Sequence, residues 1–448
     1  MVGAPGRDRI RVNYGTEDGV SAEPTVSLDS RGTRIRTCCG CHATARVKAW
    51  RAMKDSRRHI VVAGAGVAGL ETALALQALA QEQVSVELIA PEDEFVYRPL
   101  AVAEPFHVGE VRRFPLARLV EAAGAELRNG ELAEVKPDEK LAVLADGGTV
   151  EYDVLVLALG ACPLPAVPGA LTFRGLPEDS EELARLLERV TTRDLRRLVF
   201  AVPAGSTWPL PLYELAMLTG EYLSEHLTHA ELTIVTPEER PLELFGTQAS
   251  EAMALLLETR GIGLRAAKSP LAFEDGVLRS ADGSGVTADA VVALPKLEGA
   301  PLDGVPQDER GFVPTDEYGR VAGLTDVYAA GDLTQSSIKQ GGVAAQEADA
   351  VAEAIAADAG ALVQPSPCRP VLRGLLFTGF VPRFLRHEEA GPSFVDTQPL
   401  WWPPAKIVGR YLSPFLAEHL GLAAPSGVAP AGALPIEVTV DRPAWTPI

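Results

Sequence analysis

Apolar residues along this chain recur in short unbroken runs rather than in strict alternation, and most runs are followed by a turn and a longer stretch of helical spacing. Ile60 to Ala63 is the first run, suited to a strand buried on both faces. The Ala- and Leu-rich stretch after it predicts a helix, and Val84 to Ala90 predicts the next strand. Leu116 to Ala123 predicts a helix, Gly130 to Val135 and Leu141 to Leu144 predict short strands, and Gly147-Gly148 marks a hairpin. Tyr152 to Pro163 predicts a fully buried strand that leaves the sheet at a glycine and two prolines. A second series follows, with helices at Glu181 to Val190, Leu212 to His226 and Ala249 to Thr259, and strands at Leu198 to Val202, Leu232 to Val235 and Ala290 to Leu294. Val327 to Ala330 then predicts a strand, and Gln340-Gly341-Gly342 opens a long Ala-rich helix. Strands alternating with helices predict an α/β protein with two doubly wound, Rossmann-like units.

The turn after the first strand carries the chemistry. Gly64, Gly66 and Gly69 have the GxGxxG spacing, with Val67 and Ala68 opening the helix. Gly64 allows a tight turn, Gly66 lets the backbone approach a pyrophosphate, and Gly69 lets helix and strand pack closely, so the loop reads as a dinucleotide site. The equivalent turn of the second unit, VPAGSTWPLPLYELA from Val202 to Ala216, keeps only Gly205. Pro203, Pro209 and Pro211 lack N–H groups and Trp208 is bulky, which argues against NAD(P) there. Asp332, after Gly331 at the end of the Val327 strand, is positioned to accept hydrogen bonds from sugar or ribityl hydroxyls, or else to cap a helix.

Composition changes the picture little. Hydrophobic residues at 47% and charged residues at 23% are ordinary for a globular chain, and a net charge of −19 argues against a nucleic-acid partner. Neither a run of 18 apolar residues nor a secretory signal is present, so the expected location is cytoplasmic. Cys38, Cys41 and His42 match the CxxCH spacing of haem attachment, and zinc is the other metal reading. We favour neither, and expect no metal. Residues 1–56 are instead read as a disordered or mis-annotated extension, with Met53 the natural start.

GAGVAG at 64–69, YDVLVLALG at 152–160, PLPLYELA at 209–216 and VYAAGD at 327–332 together resemble the pyridine nucleotide-disulfide oxidoreductase-like flavoproteins. Within that superfamily the chain is most similar to the sulfide:quinone oxidoreductases and the flavoprotein of flavocytochrome c sulfide dehydrogenase, and more distantly to the type II NADH dehydrogenases. The resemblance implies FAD, bound non-covalently and extended, in a discontinuous domain of residues 57–165 and 300–360. Residues 166–299 would form a degenerate second dinucleotide-like domain and 361–448 a C-terminal region. Gly64, Gly66, Val67, Ala68 and Gly69 would meet the pyrophosphate, Gly331 and Asp332 the ribityl chain, and Val135 the adenine through its backbone. Ala158, Leu159 and Gly160 would pack near the cofactor, Arg98 would lie close to it in the insertion Pro91 to Phe106, and Gly342 would approach the flavin ring. Glu92 would stand in for the family's ribose-binding acid, since Ala90-Pro91 occupy its usual place.

The resemblance also implies an FAD-dependent oxidoreductase passing electrons from a small-molecule donor to an acceptor such as a quinone. Sulfide oxidation in that branch needs two cysteines beside the flavin, and neither Thr172 to Ser180 nor Thr334 to Gly342 contains one. Cys162, Lys339 and Gln346 are the catalytic candidates, Gln346 matching the second glutamine of the dehydrogenases' AQxAxQ helix motif. The alternatives are a type II NADH:quinone dehydrogenase-like enzyme, or an FAD-binding redox sensor serving a partner protein. Trp401, Trp402, Lys406, Arg410, Tyr411 and Phe415 suit a peripheral contact on the inner face of the membrane, and equally a segment folded over the flavin or a homodimer contact.

Overall fold

The computed structural model describes residues 57–389 and 391–420, so the Cys38–His42 cluster and Met53 lie outside the described residues. Two five-stranded parallel sheets organise the rest. The first runs in the order Val327–Ala329, Val154–Leu157, Arg58–Ala63, Val84–Ala90, Glu126–Asn129. Ile60, Val61, Val62 and Ala63 are wholly buried, because layers cover both faces of the sheet. On one face the helices Val67–Ala80 and Gly341–Asp358 pack together through alanines, among them Ala73, Ala348 and Ala352. Leu132, Val135, Ala142 and Leu144, from an antiparallel meander, close the other face.

The second sheet runs Leu171–Thr172, Ala290–Ala293, Arg197–Ala201, Glu231–Val235, Gly263–Arg265, again all parallel. Its end strands are two and three residues long, too short to leave a period in the sequence. The predicted strand Tyr152 to Pro163 is two elements. Pairing stops at Leu157, Gly160 turns the chain with φ +73°, and Cys162–Leu164 then pairs antiparallel with Lys296–Glu298 in a separate two-stranded link.

Beyond residue 370 lies an antiparallel sheet of Val371–Leu376, Arg383–Glu388 and Ser393–Asp396. The chain then returns across both units to the helix Leu412–His419. Trp401, Lys406, Ile407 and Leu412 are buried in this return; the Trp401 indole N–H donates to the Ala405 carbonyl at 3.0 Å, and the Ile407 N–H to the Tyr97 hydroxyl at 2.9 Å. Burial of Leu412 and Leu416 contributes about 2 kcal/mol each. Residues 400–417 thus pack against the rest of the chain through Trp401, Lys406, Ile407, Leu412 and Leu416, while Arg410 stays exposed. No helix among the described residues is long and apolar enough to cross a membrane.

Candidate functional site

The glycine loop separates into two kinds of glycine. A Cβ on Gly64, whose φ is +105°, would lie 2.3 Å from the Ala158 carbonyl oxygen, and one on Gly69 would lie 1.9 Å from that of Gly64. Both residues are therefore fixed by the protein's own packing. Gly66 is different: its φ is −75° and a Cβ there would meet nothing within 4 Å. Neither conformation nor packing requires glycine at 66, whereas a ligand approaching the backbone from that open side would. No side chain caps the helix that starts at Val67, so its N–H groups remain available to an anion.

Gly331 closes on the same helix, since a Cβ there would come 3.0 Å from that of Ala68, and its N–H donates to Glu347 at 2.8 Å. The next residue, Asp332, makes no hydrogen bond among the described residues. Burial pushes its carboxyl up, opposed by the nearby Lys339 charge. An unsatisfied acid set at a parallel strand's C-terminal edge can accept hydroxyl donors of a sugar or polyol. The loop and this carboxylate fit a dinucleotide with a hydroxylated chain.

Asp332 lines a cavity of about 280 Å³ walled by Phe173, Trp208, Phe312, Leu375 and Ile407. Lys339 lines it too; its ammonium donates to the Thr334 carbonyl, lies 4.1 Å from the Phe312 ring centre, and is pushed down in pKa by burial. The pair Glu214–Lys406, 1% and 7% exposed, lines the same cavity. Glu214 also accepts the Phe377 N–H at 2.8 Å, and the Lys406 ammonium stands 4.2 Å from the Phe377 ring centre. Burial raises the Glu214 carboxyl, resisted by Lys406, and lowers the Lys406 ammonium, resisted by Glu214. A proton shared by such a pair is held less firmly than on an exposed lysine.

The residues matching the family model run from 58 to 348. The chain belongs to the pyridine nucleotide-disulphide oxidoreductase family. Among curated relatives it is 26% identical over 304 residues to the demethylphylloquinone reductase NdbB of Synechocystis, covering 62% of this chain and 72% of that one. It is likewise 26% identical over 347 residues to an alternative NAD(P)H-ubiquinone oxidoreductase of Arabidopsis thaliana, covering 66% of each. Among solved structures, the sulfide:quinone oxidoreductase of Aquifex aeolicus superposes with a TM-score of 0.67 at 20% identity, over 76% of this chain and 87% of that one, a likeness of fold. Family membership makes the protein a flavin-dependent oxidoreductase and displaces the purely non-enzymatic reading.

Measured against the family's plan, several expected site residues take other roles. Gln346 does not line the cavity: its amide donates to the Gly342 and Val371 carbonyls at 2.7 and 3.1 Å and accepts the Val371 N–H at 2.8 Å, fastening an edge strand. Cys162 is exposed on the link strand opposite Glu298 and is not in the cavity wall. Gly342 is buried beneath the Gln340 side chain, which caps Val343, so the residue lining the cavity is Gly341. The Val135 N–H donates to the Asp303 carbonyl at 2.9 Å and is not free for an adenine. Glu92 is exposed past the second strand, and Arg98 is exposed at the cavity rim, over Gly175. Ala158 and Leu159 stay beside Gly64. The Glu214–Lys406 pair was missed, although a glutamate in the otherwise apolar PLPLYELA helix start was a visible signal.

Proposed function

We propose that this chain is an FAD-dependent quinone reductase whose buried Glu214–Lys406 pair supplies protons to the quinone. Gly64, Gly66, Val67, Ala68 and Gly69 hold the FAD pyrophosphate and Asp332 the ribityl hydroxyls; bound there, FAD supplies a two-electron carrier. Reduction of a quinone also consumes two protons at its ring oxygens. The observation that carries the reading is the buried carboxylate–ammonium pair lining the same cavity as Asp332 and Lys339. Lys406 donates, Glu214 accepts and relays, and the rings of Trp208 and Phe312 seat the flat substrate.

The test is anaerobic reoxidation of the chemically reduced holoenzyme. A water-soluble quinone restores the oxidised flavin absorbance in the native protein, and Glu214→Gln slows that step about 100-fold while flavin content is unchanged, a loss within the range for a general acid–base group. A reduced holoenzyme that no quinone reoxidises faster than it does free reduced FAD would refute the proposal.

A second reading has NAD(P)H as the donor. It draws on the NAD(P)H named for the Arabidopsis relative and on Gly205, Ser206 and Thr207 reaching the cavity wall. Against it stand the missing N–H groups of Pro203, Pro209 and Pro211.

A further inference from the structure

In a chain of net charge −19, the cavity wall carries four arginines and two lysines against one glutamate and one aspartate. Three of these cations are answered: Lys406 by Glu214, Arg174 by Asp179 at 2.6 Å, and Lys339 by the charge of Asp332. Arg98, Arg310 and Arg373 have no carboxylate within ion-pair distance among the described residues. Arg98 is exposed, and Arg310 lies 5.0 Å from the Phe312 ring centre. Arg373 is the unexplained one. It is partly buried, its guanidinium makes no hydrogen bond, and across the strand pair it faces Arg386, a like charge. Glu388 pairs with Arg386, and its charge offsets the repulsion at Arg373 only in part, without reaching ion-pair distance of it. Burial first, and Arg386 second, push the Arg373 pKa down to about 10.

An uncompensated guanidinium taken out of water is costly, and like charges opposite one another on a sheet add to the cost. An anion arriving in the cavity would give this guanidinium the hydrogen-bonded, oppositely charged partner that it lacks. The cofactor's pyrophosphate is not that anion, because no residue of Gly64 to Gly69 lines this cavity. The neighbouring wall is apolar and aromatic, with Trp208, Leu375 and Ile407.

We propose that the cavity takes a substrate built as a flat apolar ring bearing an oxyanion, carboxylate or sulfonate, and that Arg373 binds the oxyanion. Where this rests on the quinone reductase reading, the substrate is a quinone acid. It gains two electrons from the reduced flavin and two protons, one at each ring oxygen, converting both C=O groups to C–O–H while the oxyanion is unchanged.

Equilibrium dialysis of the FAD-loaded full chain with 2-naphthoate and 2-naphthamide tests the charge without any redox step. The naphthoate binds at least about tenfold tighter, the scale of one charge-assisted bidentate contact. Arg373→Gln brings the naphthoate down to the naphthamide's affinity, Arg373→Lys keeps part of the preference, and naphthamide binding is the same in all three proteins. Equal affinities in the native protein, a preference that survives Arg373→Gln, or loss of naphthamide binding in that variant would each overturn the proposal. Anion preference in a protein that no quinone reoxidises refutes the reductase reading alone, and turnover of neutral quinones without anion preference refutes this inference alone.

Discussion

The first glycine loop and the turn at Val202 to Leu212 hold the same place in two copies of one topology, yet their backbones offer different things. After the strand Arg58–Ala63 the chain presents an uncapped helix start and an open side at Gly66. After Arg197–Ala201 the helix starts at Leu210 behind Pro209, with Pro211 in its first turn, and the Trp208 ring packs edge-on to Phe245 at 5.5 Å. A donor row has become a packed wall. The helices behind the two turns nevertheless share a device: each buries a glutamate at its fifth residue, Glu71 and Glu214, and each glutamate grips the returning C-terminal segment. Glu71 accepts the N–H groups of Tyr411 and Leu412, both at 2.7 Å, and its carboxylate sits so close to Gly409 that a Cβ there would be 2.5 Å away. Glu214 takes Lys406 instead. The fold conserves the anchor across its two halves while the turn chemistry diverges, so phosphate binding and the cavity wall are separable functions of one scaffold.

The sharpest way to break that comparison is inside the first loop itself. Gly69→Ala must push apart the backbone at Gly64 and destabilises the protein by about 3 kcal/mol with or without cofactor. Gly66→Val meets no protein atom near its Cβ, so the apo melting temperature stays as it is while FAD affinity falls about 100-fold, roughly 2.7 kcal/mol. Thermal melts beside flavin titrations separate the two. Equal effects of both substitutions on the apo melt would mean that Gly66 is a packing residue after all.

The two buried glutamates differ in what answers them, and pH exposes it. Glu71 lies against Asp349, with Arg410, Glu353 and Tyr411 around them; burial raises Glu71 to about 7, and burial together with the Glu71 charge raises Asp349 to about 9. One Asp349 oxygen has no hydrogen-bond partner among the described residues. Both carboxyls bind protons more tightly in the folded than in the unfolded chain, so stability falls as pH rises from about 4 toward 9. Asp349→Asn removes the worse of the two and gives Glu71 an amide donor. Its expected gain is on the order of 2 kcal/mol at pH 8, vanishing near pH 4, in melts followed across that range. A pH-independent effect would show that no proton is shared there.

Legibility in the sequence followed the same division. The unbroken apolar runs placed Arg58–Ala63, Val84–Ala90, Arg197–Ala201, Glu231–Val235 and Ala290–Ala293 to within two residues, because burial leaves few polar positions to blur them, whereas the run from Tyr152 overran its strand's end at Leu157. Gly64 and Gly69 were readable for the same reason, as positions where the backbone itself leaves no room. Gln346, Val135 and Gly342 were not, since a motif names a residue type and the neighbouring strand or loop decides which way its hydrogen bonds run. Lys406 and Arg373 were illegible as site residues: they reach the cavity from a C-terminal sheet and strap whose strands carry no helix-to-strand rhythm, and only tertiary return brings them into one cavity with Glu214 and Asp332.

The mildest test returns to the second turn. Gly205 has φ +77° with nothing within 4 Å of a Cβ, so its glycine answers backbone conformation alone. Gly205→Ala therefore costs about 1 kcal/mol from the left-handed φ, and leaves FAD content untouched. If the turn holds no pyrophosphate, the same substitution leaves any response of the flavin absorbance to NADH or NADPH as it is in the native protein, which is no bleaching on stopped-flow mixing. Were NADH to bleach the native protein and fail with Gly205→Ala, the second turn would be a phosphate site in spite of its prolines. The difference between the two halves would then be one of degree, with Gly205 doing alone what Gly66 and an uncapped helix do together in the first.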